Sequence, residues 1–210
     1  YAQALADGFF AEEITPIEVP TGRKTPPRIV SDDEHPRPQS SFDVLQGLKP
    51  LQEGGVVTAG NASGINDGAA ALLIGNRAAG EQAGAAPMAR ILSGAVAGVE
   101  PRVMGLGPAY AIPKALERAC LTLADMEVIE INEAFAPQVL GCLQLLGLPF
   151  DDARVNPNGG AIAIGHPLGA SGARIALSAA RELKRRNGRY AVVSLCIGVG
   201  QGIAVVIERV

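Results

Sequence analysis

His166 has the sequence context that most favours chemistry. It lies between Gly165 and Pro167 in a glycine-rich segment, residues 156–172 (NPNGGAIAIGHPLGASG), and it is one of two histidines in the chain. Glycine loses more backbone freedom on folding than other residues, so such a run indicates unusual dihedrals or a close approach between backbone and ligand. An imidazole fixed in this way can act as an acid, a base or an oxyanion donor. The alternative is a tight turn that happens to contain a histidine.

Two further polar side chains are predicted at strand ends. Asn132 follows the predicted buried strand 128–131, and Cys196 precedes glycines at positions 198, 200 and 202, whose backbone N–H groups can face a ligand. A thiol of shifted pKa can carry a proton, and a carboxamide can hold a water or an oxyanion. The other cysteines, Cys120 and Cys142, are interpreted as small buried hydrophobes.

The composition favours an α/β protein. Hydrophobic residues make up 48% of the 210 positions, aromatic residues only 4%, and Trp is absent, which favours helices packed on a sheet. The net charge of −3 carries no nucleic-acid signature. No apolar run has the length to cross a bilayer, no signal peptide is visible, and the three cysteines have neither metal-ligand nor disulfide spacing. A cytoplasmic protein without a bound metal is therefore expected.

Strands and helices are predicted to alternate in the second half of the chain. This alternation predicts a mostly parallel mixed sheet with helices on both faces, and the short glycine loop before the last strand predicts an antiparallel C-terminal hairpin. In such sheets ligands bind beyond the strand ends. The predicted strands are 56–59, 69–74 (fully buried), 89–97, 128–131, 190–197 and 203–207; the predicted helices include 113–120, with Pro113 in its first turn, 136–146 and 171–186.

Other segments have weaker signals. The glycines and amides of residues 60–68 suit either ligand approach or a turn cluster, and the basic residues of loop 21–40, Arg37 among them, suit either phosphate or solvent. Residues 198–202 (GVGQG) look like half of a dinucleotide fingerprint, but a strand follows them instead of a helix. Residues 165–171 lack the Lys-Ser/Thr ending of a phosphate-binding P-loop. Both nucleotide motifs are rejected.

Four blocks in order closely resemble the signature sequences of the thiolase family. They are TAGNASG at residues 58–64, NEAF at 132–135, GHPLGASG at 165–172 and CIGVGQG at 196–202. Within that family, EHPRP at 34–38 and IERV at 207–210 look most like the 3-oxoadipyl-CoA thiolases of aromatic-compound degradation. The resemblance runs the whole length of the chain and implies a thiolase-like layered fold.

The resemblance implies a retro-Claisen cleavage of a 3-oxoacyl-CoA, with coenzyme A as co-substrate and no permanently bound cofactor. By motif match, His166 would activate a nucleophilic cysteine and stabilise an oxyanion, and Asn132 would position a water in the same oxyanion hole. Cys196 would protonate the enolate and later deprotonate CoA, and the Gly198 N–H would belong to a second oxyanion hole. The implied substrate contacts are Ser63, Arg37 and Phe135.

Thiolases carry their nucleophilic cysteine in the first half of the sequence, and neither Cys120 nor Cys142 has a matching context. The chain also begins at Tyr1 in what reads as a helix already under way. We therefore expect a C-terminal half: residues 1–55 as part of the covering loop region, 56–86 as the end of the N-terminal domain and 87–210 as the C-terminal domain. Such a chain alone should lack thiolysis activity, should need the N-terminal half, and should form a homodimer or homotetramer.

Three alternatives remain open at this point. The chain can belong to a non-catalytic thiolase-like protein that binds acyl-CoA or supports assembly, although such a protein needs neither His166 nor Cys196. It can belong to a biosynthetic acetoacetyl-CoA thiolase. A condensing enzyme of the ketosynthase type shares the fold, but a cysteine at the Cys196 position favours a thiolase.

Overall fold

The computed structural model describes all 210 residues and contains six strands and seven α-helices. In chain order these are α1 (Ala2–Ala6), β1 (Ile17–Val19), β2 (Arg28–Val30), α2 (Phe42–Gln46), α3 (Arg77–Gln82), β3 (Ala89–Gly98), α4 (Gly107–Arg118), β4 (Val128–Ile131), α5 (Ala136–Leu146), α6 (Ala161–Ile164), α7 (Leu168–Arg186), β5 (Tyr190–Ile197) and β6 (Gln201–Arg209). Short 3₁₀ turns occupy Phe9–Glu12, Pro101–Leu106 and Leu123–Asp125. None of the helices is both long and apolar enough to cross a membrane.

The main sheet has four strands in the order β3-β6-β5-β4. β5 and β6 form the antiparallel hairpin that the sequence predicts, and β4 pairs with β5 in parallel. β3 pairs with β6 antiparallel, so the sheet is mixed as predicted but is not mostly parallel. The reason is that β3 runs along the outer edge of the hairpin, a non-local pairing that periodicity along the chain does not reveal.

Helices cover both faces of this sheet, as predicted. On one face α4 and α5 pack against alternate residues of the strands, such as Ile129, Ile131 and Val192. On the other face α7 presents Ile175, Ala179 and Leu183, spaced by four, to Val128 and Val193. β4 is buried at all four positions because it lies between the two layers.

The start of α4 differs from the prediction. The helix begins at Gly107, and Pro108 occupies the first turn, whereas Pro113 lies inside the helix on its exposed side. Burial of Ile112, together with neighbouring alanine and leucine side chains, outweighs the lost hydrogen bond of an internal proline. The helix predicted at residues 113–120 therefore corresponds only to the second half of α4.

Residues 1–88 contain less regular structure, and two strand predictions there are wrong. Residues 56–59 and 69–74 form no strand, and Leu73 is 87% exposed instead of buried. A strand requires a neighbour that accepts its backbone hydrogen bonds, and no other segment of the chain pairs with either stretch. Ser41 caps α2, since its Oγ accepts a hydrogen bond from the Val44 N–H at 3.3 Å.

Candidate functional site

The edge of the sheet where β4 and β5 end carries the polar residues predicted from the sequence. The two strands are parallel and in register with Ile131 opposite Ser194, so their carboxyl ends meet at this edge. The Asn132 N–H donates to the Ser194 carbonyl at 2.9 Å, which extends the pairing by one residue. Asn132 and Cys196 are therefore placed at one edge by two neighbouring strands.

Asn132 and His166 are in direct contact. The Asn132 Nδ2 lies 3.2 Å from the His166 Nε2, and the Asn132 side chain is only 1% exposed. The Asn132 Oδ1 is buried and has no hydrogen-bond partner in the protein. Because buried polar atoms are almost always paired, this oxygen is an acceptor available to a water or a ligand group.

The other ring nitrogen of His166 is fixed by Ser171. His166 Nδ1 lies 2.6 Å from the Ser171 Oγ, which in turn donates to the Pro167 carbonyl at 3.1 Å. With the serine proton committed to that carbonyl, Oγ accepts from an Nδ1–H, and Nε2 is left as the acceptor that faces Asn132. Burial, and secondarily the positive charge of Arg174, lower the pKa of His166, which favours the uncharged ring.

Glu133 and Asn156 hold the glycine-rich segment against the end of β4. The Glu133 carboxylate accepts from the Ile162 N–H at 3.1 Å and from the Asn156 Nδ2 at 3.2 Å. Asn156, at φ 43°, bonds both backbone groups of Ile131 through its side chain, each at 2.9 Å. Gly160 lies against the Glu133 carboxylate, where a Cβ would collide with it. These contacts fix the segment that carries His166.

Cys196 lies near the end of β5 and is half-buried. Burial raises the pKa of its thiol, so the thiol form predominates at neutral pH. The thiol makes no hydrogen bond to His166 or to Asn132, although all three residues belong to the same region of the sheet. The structure thus brings Asn132 and His166 together and leaves Cys196 at the adjacent strand end without a hydrogen bond to either.

The glycines of the β5–β6 turn have different surroundings. An added Cβ at Gly200 would collide with the Val99 carbonyl, and one at Gly202 with the backbone of Gly107 at the start of α4. Gly198 has open space around its Cα, and Val199 beside it takes a left-handed conformation, φ 68°, with its side chain exposed. Gly200 and Gly202 therefore serve packing, and Gly198 is the glycine accessible to a ligand.

The segment containing Ser63 contacts the segment containing Phe135. Ala62 and Phe135 form an isolated antiparallel bridge, and both the N–H and the Oγ of Ser63 reach the Ala134 carbonyl, at 3.0 and 3.3 Å. Phe135 is partly buried at the start of α5. Residues 62–63 therefore lie beside the NEAF block that carries Asn132.

Arg37 lies in the exposed loop before α2. Its Nη1 donates to the carbonyls of Glu34, His35 and Pro36, the shortest of these at 2.6 Å. One guanidinium nitrogen is thus occupied by its own loop, and the other two make no hydrogen bond within the protein.

The remaining cysteines differ from each other. Cys142 is fully buried as predicted, and burial raises its pKa to about 11. Cys120 is exposed in a left-handed conformation, φ 55°, just after α4, so its predicted burial is wrong. The prediction failed because residue type was taken as the guide, whereas helix termination at the surface decides the exposure of this position.

Sequence reasoning missed several supporting side chains. Glu133, Ser171 and Asn156 lay inside quoted segments without an assigned role. Asn66 lay in the segment 60–68, interpreted as a site of ligand approach or a turn cluster, and His35 lay in the EHPRP block, and neither was assigned a role. The available signal was chemical: Asn66 and Asn156 each carry two hydrogen-bonding side-chain atoms and lie within four residues of a glycine. No group of three His, Cys, Asp or Glu side chains is placed to hold a metal ion. The arrangement suits proton transfer and oxyanion stabilisation by an uncharged imidazole, a carboxamide and a thiol.

Comparison with known families identifies two matches. Residues 85–209 match the thiolase C-terminal domain, and residues 1–78 match the thiolase N-terminal domain. The chain is 58% identical, over all 210 residues, to the 3-oxoadipyl-CoA/3-oxo-5,6-dehydrosuberyl-CoA thiolase of Escherichia coli (strain K12). It covers 52% of that protein, so the chain spans about half the length of the curated relatives it matches.

Solved structures agree with this assignment. The fold matches the Bacillus anthracis acetyl-CoA acetyltransferase with a TM-score of 0.93 and 44% identity, covering all of this chain and 52% of the other. It also matches human mitochondrial 3-ketoacyl-CoA thiolase in complex with CoA, with a TM-score of 0.88 and 43% identity over all of this chain and 51% of the other. The predicted α/β layered fold is thereby confirmed. On sequence and on structure alike, the chain belongs to the thiolase family.

Proposed function

We propose that this chain contributes the acid–base side of a thiolase that cleaves a 3-oxoacyl-CoA with coenzyme A. The products are acetyl-CoA and an acyl-CoA shortened by two carbons. The observation that carries the proposal is the 3.2 Å contact between Asn132 and His166, with the unpartnered Asn132 Oδ1 beside it, at the strand edge that also bears Cys196. This supplies a neutral imidazole, a water-binding amide and a thiol in one region.

The proposed reaction assigns each of these groups a step. A cysteine thiolate attacks the 3-keto carbon, the C2–C3 bond breaks, and acetyl-CoA leaves as its enolate. His166 activates the nucleophile by taking its thiol proton on Nε2, in place of the Asn132 Nδ2 contact, and the resulting N–H stabilises an oxyanion together with a water that Asn132 holds through Oδ1. Cys196 donates a proton to C2 of the enolate and later removes the proton from the incoming CoA thiol. The CoA thiolate then attacks the acyl thioester on the nucleophilic cysteine, and the cysteine thiolate leaves as the shortened acyl-CoA forms. The N–H of Gly198 serves a second oxyanion hole.

We propose that the nucleophile comes from outside these 210 residues. Cys142 is fully buried with a raised pKa, which disfavours a thiolate, and Cys120 is on the surface beyond α4, away from the β4 and β5 ends. An N-terminal half, present on the same or another polypeptide, is therefore the required partner. The proposed units are residues 1–55 in the covering loop, 56–86 in the N-terminal domain and 87–210 as the C-terminal domain. The chain alone should be inactive in thiolysis.

For the substrate we propose 3-oxoadipyl-CoA, on the basis of the 58% identity to a thiolase named for it. Ser63 and Phe135, which pack beside the NEAF block, are placed to contact the acyl-CoA. Arg37 has two free guanidinium nitrogens for a CoA phosphate. We further propose a cytoplasmic homodimer or homotetramer that binds neither nucleic acid nor membrane.

The test is a substrate panel on the complete thiolase that carries this sequence, in which CoA-dependent cleavage of 3-oxoadipyl-, acetoacetyl- and longer 3-oxoacyl-CoA is measured. The largest kcat/KM should belong to 3-oxoadipyl-CoA, and Cys196→Ser should lower the rate by about 10²–10⁴, the range expected for loss of an acid–base group. A preference for acetoacetyl-CoA would reassign the substrate to the biosynthetic alternative. Binding of acyl-CoA without cleavage would overturn the enzymatic proposal in favour of a non-catalytic binding protein.

A further inference from the structure

A second histidine and an asparagine contact the His166 segment from the opposite side of the site. Asn66 Oδ1 accepts the backbone N–H of His166 at 3.1 Å, and Asn66 Nδ2 lies 3.3 Å from His35 Nδ1. His35 Nε2 lies 3.2 Å from the carbonyl of Ile162, four residues before His166. The two side chains thus connect both ends of the short stretch 162–166 to residues 35 and 66.

The hydrogen-bonding roles in this cluster are mutually consistent. Because Asn66 Oδ1 receives the His166 N–H, its amino group must face His35, so His35 Nδ1 must be an acceptor. His35 then carries its proton on Nε2, where it donates to the Ile162 carbonyl. Each of the three contacts pairs one donor with one acceptor. Reversing the Asn66 amide would set two N–H groups against each other at His166.

Three glycines around the cluster, at positions 64, 68 and 165, have no room for a Cβ. At Gly165, φ 106°, an added Cβ would lie 2.6 Å from Asn66 Oδ1. At Gly64 an added Cβ would lie 2.7 Å from the same atom and would also meet the His35 ring. A Cβ at Gly68 would lie 2.6 Å from Pro167. Residues 64–68 therefore form a close-fitting support under the backbone of residues 165–167.

From this geometry we infer that Asn66 and His35 are positioning residues for His166. The inference rests on the proposed function, since it assigns them to the placement of the proposed catalytic imidazole. Asn132 and Ser171 hold the ring of His166, but neither holds its backbone. Asn66 supplies that missing constraint through the His166 N–H, and His35 fixes the orientation of the Asn66 amide. Neither residue touches the reacting atoms in this assignment.

The first measurement is hydrogen–deuterium exchange of the peptide containing residues 162–168 in the complete protein. In that stretch only the His166 N–H depends on Asn66, since Pro167 has no N–H and residues 162–165 bond elsewhere. Asn66→Leu should speed exchange at His166 about two- to tenfold, the effect of one net hydrogen bond. Asn66→Asp keeps the acceptor and should restore protection. His35→Phe should give a smaller increase.

Asn61→Leu is the matched control. Asn61 comes from the same loop and, like Asn66, makes two side-chain hydrogen bonds, but its partners are the backbone groups of Thr58 and Val56. It should leave exchange at His166 unchanged. Unchanged exchange in Asn66→Leu, or an increase spread evenly over residues 156–172, would overturn the inference. If Asn66→Leu fails to fold, His35→Phe decides by the same readout.

The second measurement is steady-state kinetics. Because a displacement of about 1 Å at a catalytic group can lower the rate about 100-fold, Asn66→Leu should lower kcat by roughly 10- to 100-fold and leave KM for CoA within about twofold. Asn66→Asp should recover most of kcat. A rise in KM with unchanged kcat would assign Asn66 to binding instead. If the protein cleaves no 3-oxoacyl-CoA, the proposed function fails, and the exchange result still decides the positioning role.

Discussion

Residues 89–210 and residues 1–88 are organised differently. In the later region a four-stranded sheet lies between α4 and α5 on one face and α7 on the other, and β4 is buried at every position. In the earlier region the only buried hydrophobic residues are Ala4 and Phe10, and large side chains such as Leu73 and Ile65 are exposed. Residues 89–210 are held by a packed core, whereas residues 1–88 are held by polar contacts and close backbone packing.

This difference bears on the site because the two regions contribute different parts of it. The later region, residues 89–210, supplies Asn132, His166 and Cys196, whose backbones are fixed by strand pairing and by the start of α7. The earlier region supplies Asn66 and His35, which act on His166 through hydrogen bonds. The reactive groups thus lie on or beside regular elements, and within these 210 residues their final alignment depends on a region with few buried side chains.

The sharpest test of this comparison is a pair of truncations to alanine. Ile129 is fully buried between the two helical layers, so Ile129→Ala should lower the free energy of unfolding by about 2–5 kcal/mol. Leu73→Ala should change it by less than about 0.5 kcal/mol, because its side chain is already exposed to water. Urea unfolding of both variants measures the difference. Equal effects would mean that the two regions do not differ in packing as described.

Glu130 is an acidic residue buried within residues 89–210, and its ionisation should make stability depend on pH. Burial raises the pKa of this carboxyl to about 8, although the charge of Arg174 opposes the shift; Glu13, Glu133 and Glu182 raise it further. The folded state then keeps a proton that the unfolded state releases above its ordinary pKa near 4.5, so stability falls as pH rises between these values.

Glu130→Gln cannot titrate and should therefore be less sensitive to pH. The stability of the variant relative to the parent should increase by about 1.4 kcal/mol per pH unit inside that window. Urea unfolding at pH 5 and at pH 8 gives the comparison. A constant difference between parent and variant at the two pH values would show that Glu130 is charged in the folded state at both.

The glycines of the β5–β6 turn allow a closely packed position, Gly202, to be compared with an accessible one, Gly198. Gly202→Ala should lower the free energy of unfolding by about 1–3 kcal/mol, because its Cβ would collide with the backbone of Gly107. Gly198→Ala is the matched control, since its Cβ would meet no atom within 4 Å. Thermal or urea unfolding distinguishes them. A destabilised Gly198→Ala would place this turn with the packed residues and would remove it as an accessible ligand contact.

Arg174 gives the smallest expected effect and links the two regions electrostatically. It extends from α7; its charge adds to the effect of burial in lowering the pKa of His166, and it opposes the rise that burial causes in the pKa of Asp33. Arg174→Gln should raise the pKa of His166, so the acid limb of kcat/KM should move upward by roughly 0.3–0.5 pH unit. Activity that depends on the uncharged imidazole would then be lost at higher pH than in the parent.

Arg181→Gln on the same helix is the control for that pH profile. Arg181 pairs with Glu12 and does not contribute to the lowered pKa of His166. Its acid limb should coincide with that of the parent. An unchanged profile in Arg174→Gln would mean that burial alone sets the pKa of His166.

Local sequence patterns predicted the elements that pack within the later region. The strands 128–131 and 190–197 and the long helix ending at Arg186 were correct because alternation and four-residue spacing report directly on burial. The same reasoning failed for residues 69–74, where an apolar run suggested a buried strand and no partner strand exists in the chain. It also missed that β3 adds antiparallel to the hairpin, since pairing between distant segments leaves no local signal.

The sequence by itself determined which chemical groups this protein offers and that they follow strands, because residue type and periodicity are local properties. Only the tertiary structure decided that Asn132 faces Nε2 of His166, that Ser171 fixes Nδ1, and that Asn66 and His35 reach the same segment. Hydrogen bonds act over about 3 Å, whereas these partners are separated by up to 127 residues of chain. Such contacts exist only after the sheet, the glycine-rich segment and the earlier loops have been placed together by packing.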